Sequence, residues 1–248
     1  MGNVVIFEER PELRDPVLVE GLPGVGNVGK IAADHIAGKL DAKCFARIYS
    51  KHFPPQVMLD ADNVAHLACN ELYYVKGTGN NDLIFLLGEY QGLTAEGQFE
   101  LAEDMMQIAA DLNVRRIFTL GGYGTGGVVE DPRILGAVSS VSMKDELEKH
   151  GVTFIPGEPS AGIAGASGLI LGMARMKNME AACMMGETSG YFIDHKSAAV
   201  LAKVLISILD IDVDMKELDE RSQQMEEFTS KIKEIAEGQE KGHLGYIG

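Results

Sequence analysis

The sequence predicts an α/β fold: a mostly parallel sheet with helices on both faces, some antiparallel strands and a C-terminal helical extension. Three observations carry that prediction. Residues 82–87 (DLIFLL) are almost continuously apolar, as a strand buried on both faces must be. Short apolar runs alternate with amphipathic stretches at strand–helix–strand spacing, which implies right-handed crossovers and parallel pairing. Residues 44–75 hold strand-like runs broken by Pro54-Pro55 and by Asp and Asn turns, and runs linked this closely pair antiparallel.

The elements follow in order. Residues 17–20 form a buried strand ended by Gly21-Leu22-Pro23-Gly24, and residues 25–40 carry apolar side chains at helical spacing. Short strands are predicted at 44–50, 56–60, 64–67 and 72–75, and the central strand at 82–87. A helix over 95–112 places Phe99, Ala102, Met106 and Ala109 on one face, and a strand over 116–120 ends in Gly121-Gly122-Tyr123-Gly124. Helices at 144–150, 161–176 and 197–209 and a strand at 181–185 complete a single domain over residues 1–210. Over 211–241 a further helix is predicted. Asp214 and Glu217 resemble a capping box, and Met215, Leu218, Met225, Phe228, Ile232 and Ile235 form one narrow apolar stripe. Such a stripe suits packing on one surface, either its own domain or a neighbouring subunit. Residues 242–248 hold three glycines and are expected to be a mobile tail.

Composition narrows the function. The chain has 248 residues, with 22 Lys and Arg against 37 Asp and Glu, a net charge of −15. A body this acidic repels phosphate backbones, so neither nucleic acid nor an anionic membrane is an expected partner. Three scattered cysteines, Cys44, Cys69 and Cys183, fit neither a zinc site nor a disulfide framework, and no metal is expected. The first ten residues lack the basic start and long apolar run of a signal peptide, so a soluble, cytoplasmic protein is expected.

The glycine turn is the most conspicuous motif. Gly24-Val-Gly26-Asn-Val-Gly29 matches GxGxxG between a strand and a helix. Ile31 stands where a P-loop needs a hydroxyl, and no acid ends the following strand as a dinucleotide site requires. Close helix–strand packing explains the glycines equally well, so a bound anion and a structural turn both remain open. Gly24, Gly26, Glu89 and Gly122 form a candidate pocket, because the strand ends they occupy are where open α/β sheets bind ligands. Glu130 is a further acid near that edge. Ser167 and Ser189 lie among glycines but off the GxSxG pattern, and the six histidines are scattered, so no catalytic residue is assigned. The segment Leu244-Gly245-Tyr246-Ile247-Gly248 sets apolar and aromatic groups on an expected tail, which marks a partner that buries them.

Taken together, Gly21-Leu-Pro-Gly-Val-Gly-Asn-Val-Gly29, Leu86-Leu-Gly-Glu-Tyr90, Gly121-Gly-Tyr-Gly124, the 162–171 stretch, Ser189-Gly-Tyr-Phe-Ile-Asp194 and Lys196-Ser-Ala-Ala199 resemble, in their order along the chain, the PAC family. That family comprises the eukaryotic proteasome assembly chaperones and their archaeal homologues, and the lineage looks archaeal. The resemblance implies a phosphorylase/hydrolase-like α/β fold, a homo-oligomer, and binding to proteasome α-subunits or the core particle without catalysis or cofactor. Some archaeal members dock through a C-terminal hydrophobic–Tyr–any-residue motif. Here Tyr246 is third from last and follows a glycine, so Leu244, Tyr246, Ile247 and Gly248 match it inexactly. The competing reading is a small-molecule-binding protein or a hydrolase- or phosphorylase-type enzyme that uses the glycine-rich sheet edge.

Overall fold

The structure, a computed structural model, describes residues 2–79 and 81–225. The strands are β1 (Val4–Phe7), β2 (Val17–Gly21), β3 (Lys43–Tyr49), β4 (Val57–Leu59), β5 (Ala65–Leu67), β6 (Cys69–Thr78), β7 (Asn81–Gly88), β8 (Arg116–Gly124), β9 (Ile134–Val138), β10 (Val152–Thr153) and β11 (Glu180–Thr188). The helices are α1 (Val28–Lys39), α2 (Ala95–Asp111), α3 (Lys144–Lys149), α4 (Gly165–Met176) and α5 (His195–Leu209), followed by α6 over 216–225.

One nine-stranded sheet runs β1-β3-β6-β7-β2-β8-β11-β9-β10, and β4 and β5 form a separate hairpin. Its centre, β7-β2-β8-β11, is parallel throughout, while β1, β3 and β6 join one side by antiparallel pairs. On the other side β9 runs antiparallel to β11 and parallel to β10. Alternation along the central strands sends side chains to two cores. Val17, Val19, Phe85, Phe118 and Met184 meet α1 and α5, while Leu18, Ile84, Ile117 and Ala181 meet α2 and α4. Cutting a fully buried phenylalanine such as Phe85 or Phe118 down to alanine costs about 3–5 kcal/mol.

The connections fix where a site can form. After β2 the chain crosses through α1 to β3 on one side, whereas after β8 it continues to β9 on the other. β2 and β8 are neighbours, so their C-terminal ends flank a topological switch point.

The turn there is shaped by close approach. A Cβ on Gly29 would lie 2.2 Å from the Leu120 carbonyl oxygen, and one on Gly122 would lie 2.1 Å from that of Val25. The helix start therefore sits on β8 backbone to backbone. Gly26, at φ 62°, makes the left-handed step between them. The opening of α6 lies on the protein's own α1–α5 face: Leu218 is buried there, and Lys39–Glu217 and Lys203–Asp219 ion pairs hold it. The predicted remainder of that helix and the tail residues Leu244, Tyr246, Ile247 and Gly248 lie outside the described residues.

The glycine motif yields a direct test. Gly29→Ala is expected to lose about 2–4 kcal/mol of stability, since the obstructing atoms are backbone and cannot swing away. Gly24→Ala meets nothing within 4 Å and keeps an extended φ of −154°, so it should stay within about 0.5 kcal/mol of the parent. Urea denaturation of both variants reads the difference.

Candidate functional site

At the switch point the strand ends enclose a cavity of about 400 Å³. Leu22 and Gly24 border it from the end of β2, Leu120 through Gly124 from β8, and Cys183 and Met185 from β11. The loop before α4 closes another side with Glu158 and Ile163, and Ser167 projects from the first turn of that helix. Of the sequence-predicted pocket residues, Gly24 and Gly122 line this cavity together. Gly26 and Glu89 are not among its lining residues. The Gly26 carbonyl accepts the Asp194 N–H at 2.9 Å, and Glu89 accepts an ion-paired hydrogen bond from Lys30 at 2.9 Å. Lys30 also holds Asp34 at 2.7 Å, so the lysine that follows the glycine motif is engaged by two carboxylates.

Beneath the cavity lies a row of polar side chains that sequence reading did not assign. Glu20 pairs in register with Thr119 across β2 and β8, and Thr119 with Cys183 across β8 and β11. All three are fully buried and face the α2–α4 side of the sheet. Ser167 Oγ donates to Glu20 Oε2 at 2.7 Å, the Leu22 N–H donates to Oε1 at 3.1 Å, and Thr119 Oγ1 donates to the Ser167 carbonyl at 3.3 Å. Burial strips water from the Glu20 carboxylate and pushes its pKa up to about 7, against the smaller pull of these donors. Burial likewise pushes the Cys183 thiol up to about 12, which leaves it a neutral, inert core group.

The chemistry this lining offers is limited and specific. It contains no lysine, arginine or histidine, and its one acid, Glu158, accepts hydrogen bonds from Tyr123 Oη and the Ser160 N–H, each at 3.1 Å. Nothing there matches a phosphate's charge. At the start of α4 the Ala166 N–H is taken by Gln91 Oε1 at 2.9 Å, so one helix-terminal donor is already satisfied. Among the described residues no cluster of three or more His, Cys, Asp or Glu could hold a metal ion, and no helix is long and apolar enough to cross a membrane.

The same sheet edge displays large apolar side chains. Tyr191, Phe192 and Ile193 are exposed in the loop between β11 and α5, and they share a groove of about 530 Å³ with Val128 and Asp131 from the loop between β8 and β9. The loop is fixed at both ends: Gly190 turns it at φ 81°, and Asp194 caps α5 by accepting the Ser197 N–H at 2.9 Å. Gly26 contributes from below, because a Cβ there would approach Thr188 Oγ1 and the Phe192 carbonyl oxygen to 3.0 and 3.3 Å.

The open α/β sheet is shared with proteins of known structure. The PAC2 family model matches residues 18–233. The Methanocaldococcus jannaschii protein MJ1210 is 34% identical over 225 residues, covering 91% of this chain and 86% of its own. The crystal structure of Pyrococcus furiosus PbaB, an archaeal proteasome activator, superposes with a TM-score of 0.87 at 36% identity, covering 94% of this chain and 99% of that one. Pyrococcus furiosus PbaA, an archaeal homologue of proteasome-assembly chaperone, shares the fold with a TM-score of 0.78 at 24% identity, over 98% and 97% of the two chains. The chain belongs to the PAC2 family.

Glu20 makes stability depend on pH in a stated direction. Its folded pKa of about 7 lies above the ordinary value of 4.5, so the native state holds a proton that the unfolded chain releases between those values. Stability should therefore fall as pH rises from about 4.5 to about 7, by an amount of order 3 kcal/mol, and level off above. Glu20→Gln should remove that slope in urea titrations taken across the window. An unchanged slope would show that Glu20 does not titrate there.

Proposed function

We propose that this protein is a proteasome activator or assembly chaperone, a homo-oligomer that binds proteasome α-subunits or the assembled core particle without catalysis. The observation that carries the reading is its likeness to PbaB, an archaeal proteasome activator, over nearly the whole of both chains at 36% identity. The site chemistry supports it: the switch-point cavity has no cationic side chain, and the glycine motif serves packing and loop support. In this reading the stripe of the 211–241 segment beyond Leu218, which is itself buried on the chain's own α1–α5 face, joins copies of the chain. Leu244, Tyr246, Ile247 and Gly248 then reach the proteasome, and several weak contacts on one oligomer give avidity.

The Ser167–Glu20 pair favours a second reading. A serine hydroxyl 2.7 Å from a carboxylate poised near neutrality, at the edge of a cavity, could serve a small-molecule ligand or a hydrolytic reaction. A thermal-shift screen with nucleosides, nucleotides and phosphate distinguishes it, because a specific ligand raises the melting temperature by mass action.

The leading reading is tested by native mass spectrometry of the protein mixed with α-subunits and with core particle from the same organism, beside a sample lacking residues 244–248. A complex lost on truncation is the expected result. One that survives moves the contact to the folded body, and the absence of any complex overturns the reading.

A further inference from the structure

We infer that the C-terminal edge of the parallel strands is itself a docking face, preorganised for a partner protein that presents an apolar surface with a basic rim. This rests on the reading of the chain as a protein-binding molecule and adds where on the folded body a partner sits. It is separate from the 244–248 segment.

Topology brings the relevant loops to one edge. β3 runs in the same direction as β7, so the β4–β5 hairpin that follows β3 rises from the edge where β2, β7, β8 and β11 also end. The hairpin is exposed along both strands. Cross-strand pairing places Val57 beside Leu67 and Leu59 beside Ala65 on one face. Leu59 is 62% exposed and Leu67 63%. A two-stranded hairpin is marginal by itself in water, and an uncovered apolar face makes it more so. At the other end of the edge stand Tyr191, 72% exposed, and Phe192, 64% exposed. Val25 and Leu93, also exposed, lie on loops between these ends. Most of the large exposed apolar side chains of the described residues thus lie on the loops of this edge, whereas Val4, Ile6, Phe99, Val141 and Met176 lie on other elements.

A chain of hydrogen bonds ties these loops into one surface. The Leu93 N–H donates to the His52 carbonyl at 2.9 Å, joining the hairpin base to the loop after β7. Gln91 Nε2 donates to the Pro23 carbonyl at 2.6 Å, joining that loop to the β2–α1 turn. The Asp194 N–H donates to the Gly26 carbonyl at 2.9 Å, joining the turn to the Tyr191–Ile193 loop. Loops held in this way lose little freedom on binding, which is the main cost that preorganisation removes.

Charge selects the occupant. The edge carries Asp60, Asp62, Glu89, Glu130, Asp131, Glu158 and Asp194, against Lys30, Lys51, Arg133 and Lys196, with Lys30 paired to Glu89, on a chain with a net charge of −15. Arg133 is engaged by Glu187, and Asp60 by His66. A second copy placed face to face would set acid against acid. A partner with lysine or arginine around an apolar centre is complementary, so aromatic and aliphatic anchors meet its core and the acids meet its rim.

The test uses the full-length chain and proteasome α-subunits or core particle as the probe. Three variants are compared with the parent: Tyr191→Ser with Phe192→Ser, Leu59→Ser with Leu67→Ser, and the charge reversal Asp62→Lys with Asp131→Lys. The replaced side chains are exposed, so circular dichroism and melting temperature should match the parent and certify folding. Each variant is expected to weaken the dissociation constant at least about tenfold, and the parent's binding should weaken steadily with added salt. Variants that bind as well as the parent overturn the docking face while leaving the proposed function standing. Variants that bind the probe normally but reduce the mass of the oligomer formed by the chain alone show that the face joins copies of this chain, which also overturns it. If the parent binds neither probe, the proposed function fails, and this inference fails with it.

Discussion

The structure turns on one close approach, the seating of the β2–α1 turn on the end of β8 with no side chain between them. Gly29 against the Leu120 carbonyl and Gly122 against the Val25 carbonyl leave no volume for a methyl group. Because the turn is pressed against β8, its neighbours are positioned too. The Gly26 carbonyl faces Asp194, which caps α5, and the Pro23 carbonyl faces Gln91, whose other amide atom holds the start of α4. Two helices and two loops therefore take their positions from one glycine turn. The Gly24 and Gly26 carbonyls accept the Asn27 and Asp194 N–H groups, so they hold the shape of the turn and of the loop beside it.

Beside that turn the molecule carries an acid in its core. Glu20 lies where alternation along β2 demands a side chain on the α2–α4 face, and Leu18 meets that demand with hydrocarbon two residues earlier. Two donors satisfy its oxygens, and desolvation still raises its pKa to about 7. The arrangement locks the first turn of α4 over the sheet: Ser167 gives its hydroxyl to Glu20 and its carbonyl to Thr119. An apolar side chain at position 20 would pack but would leave the Ser167 hydroxyl and the Leu22 amide without this partner.

Much of the fold was legible in the sequence because its central elements are governed by local patterns. Residues 82–87 read as a doubly buried strand, and 95–112 as an amphipathic helix, because burial on two faces or one stripe is written directly in residue type. Three strands were not legible. β1 (VVIF) mixes half-buried and exposed positions and is a strand only because β3 pairs with it; β9 and β10 are short strands, the second at the sheet's edge, defined by their partners. The candidate site divides in the same way. Gly24 and Gly122 could be placed at strand ends from the sequence, but the row of Glu20, Thr119 and Cys183 depends on register between strands far apart in the chain. The one available signal was an acid at the end of an otherwise apolar strand, VLVEG, in a position that faces the core.

The charge of the chain and its exposed apolar edge answer each other. A surface that shows Tyr191, Phe192 and Leu59 to water would favour indiscriminate association in a protein of small net charge. At −15, copies repel one another at long range, so contact between acidic apolar edges is opposed while contact with a basic partner is drawn in. The α1–α5 face needs no such protection, because the chain covers it itself: Leu218 fills its apolar floor, and the Lys39–Glu217 and Lys203–Asp219 pairs neutralise its rim.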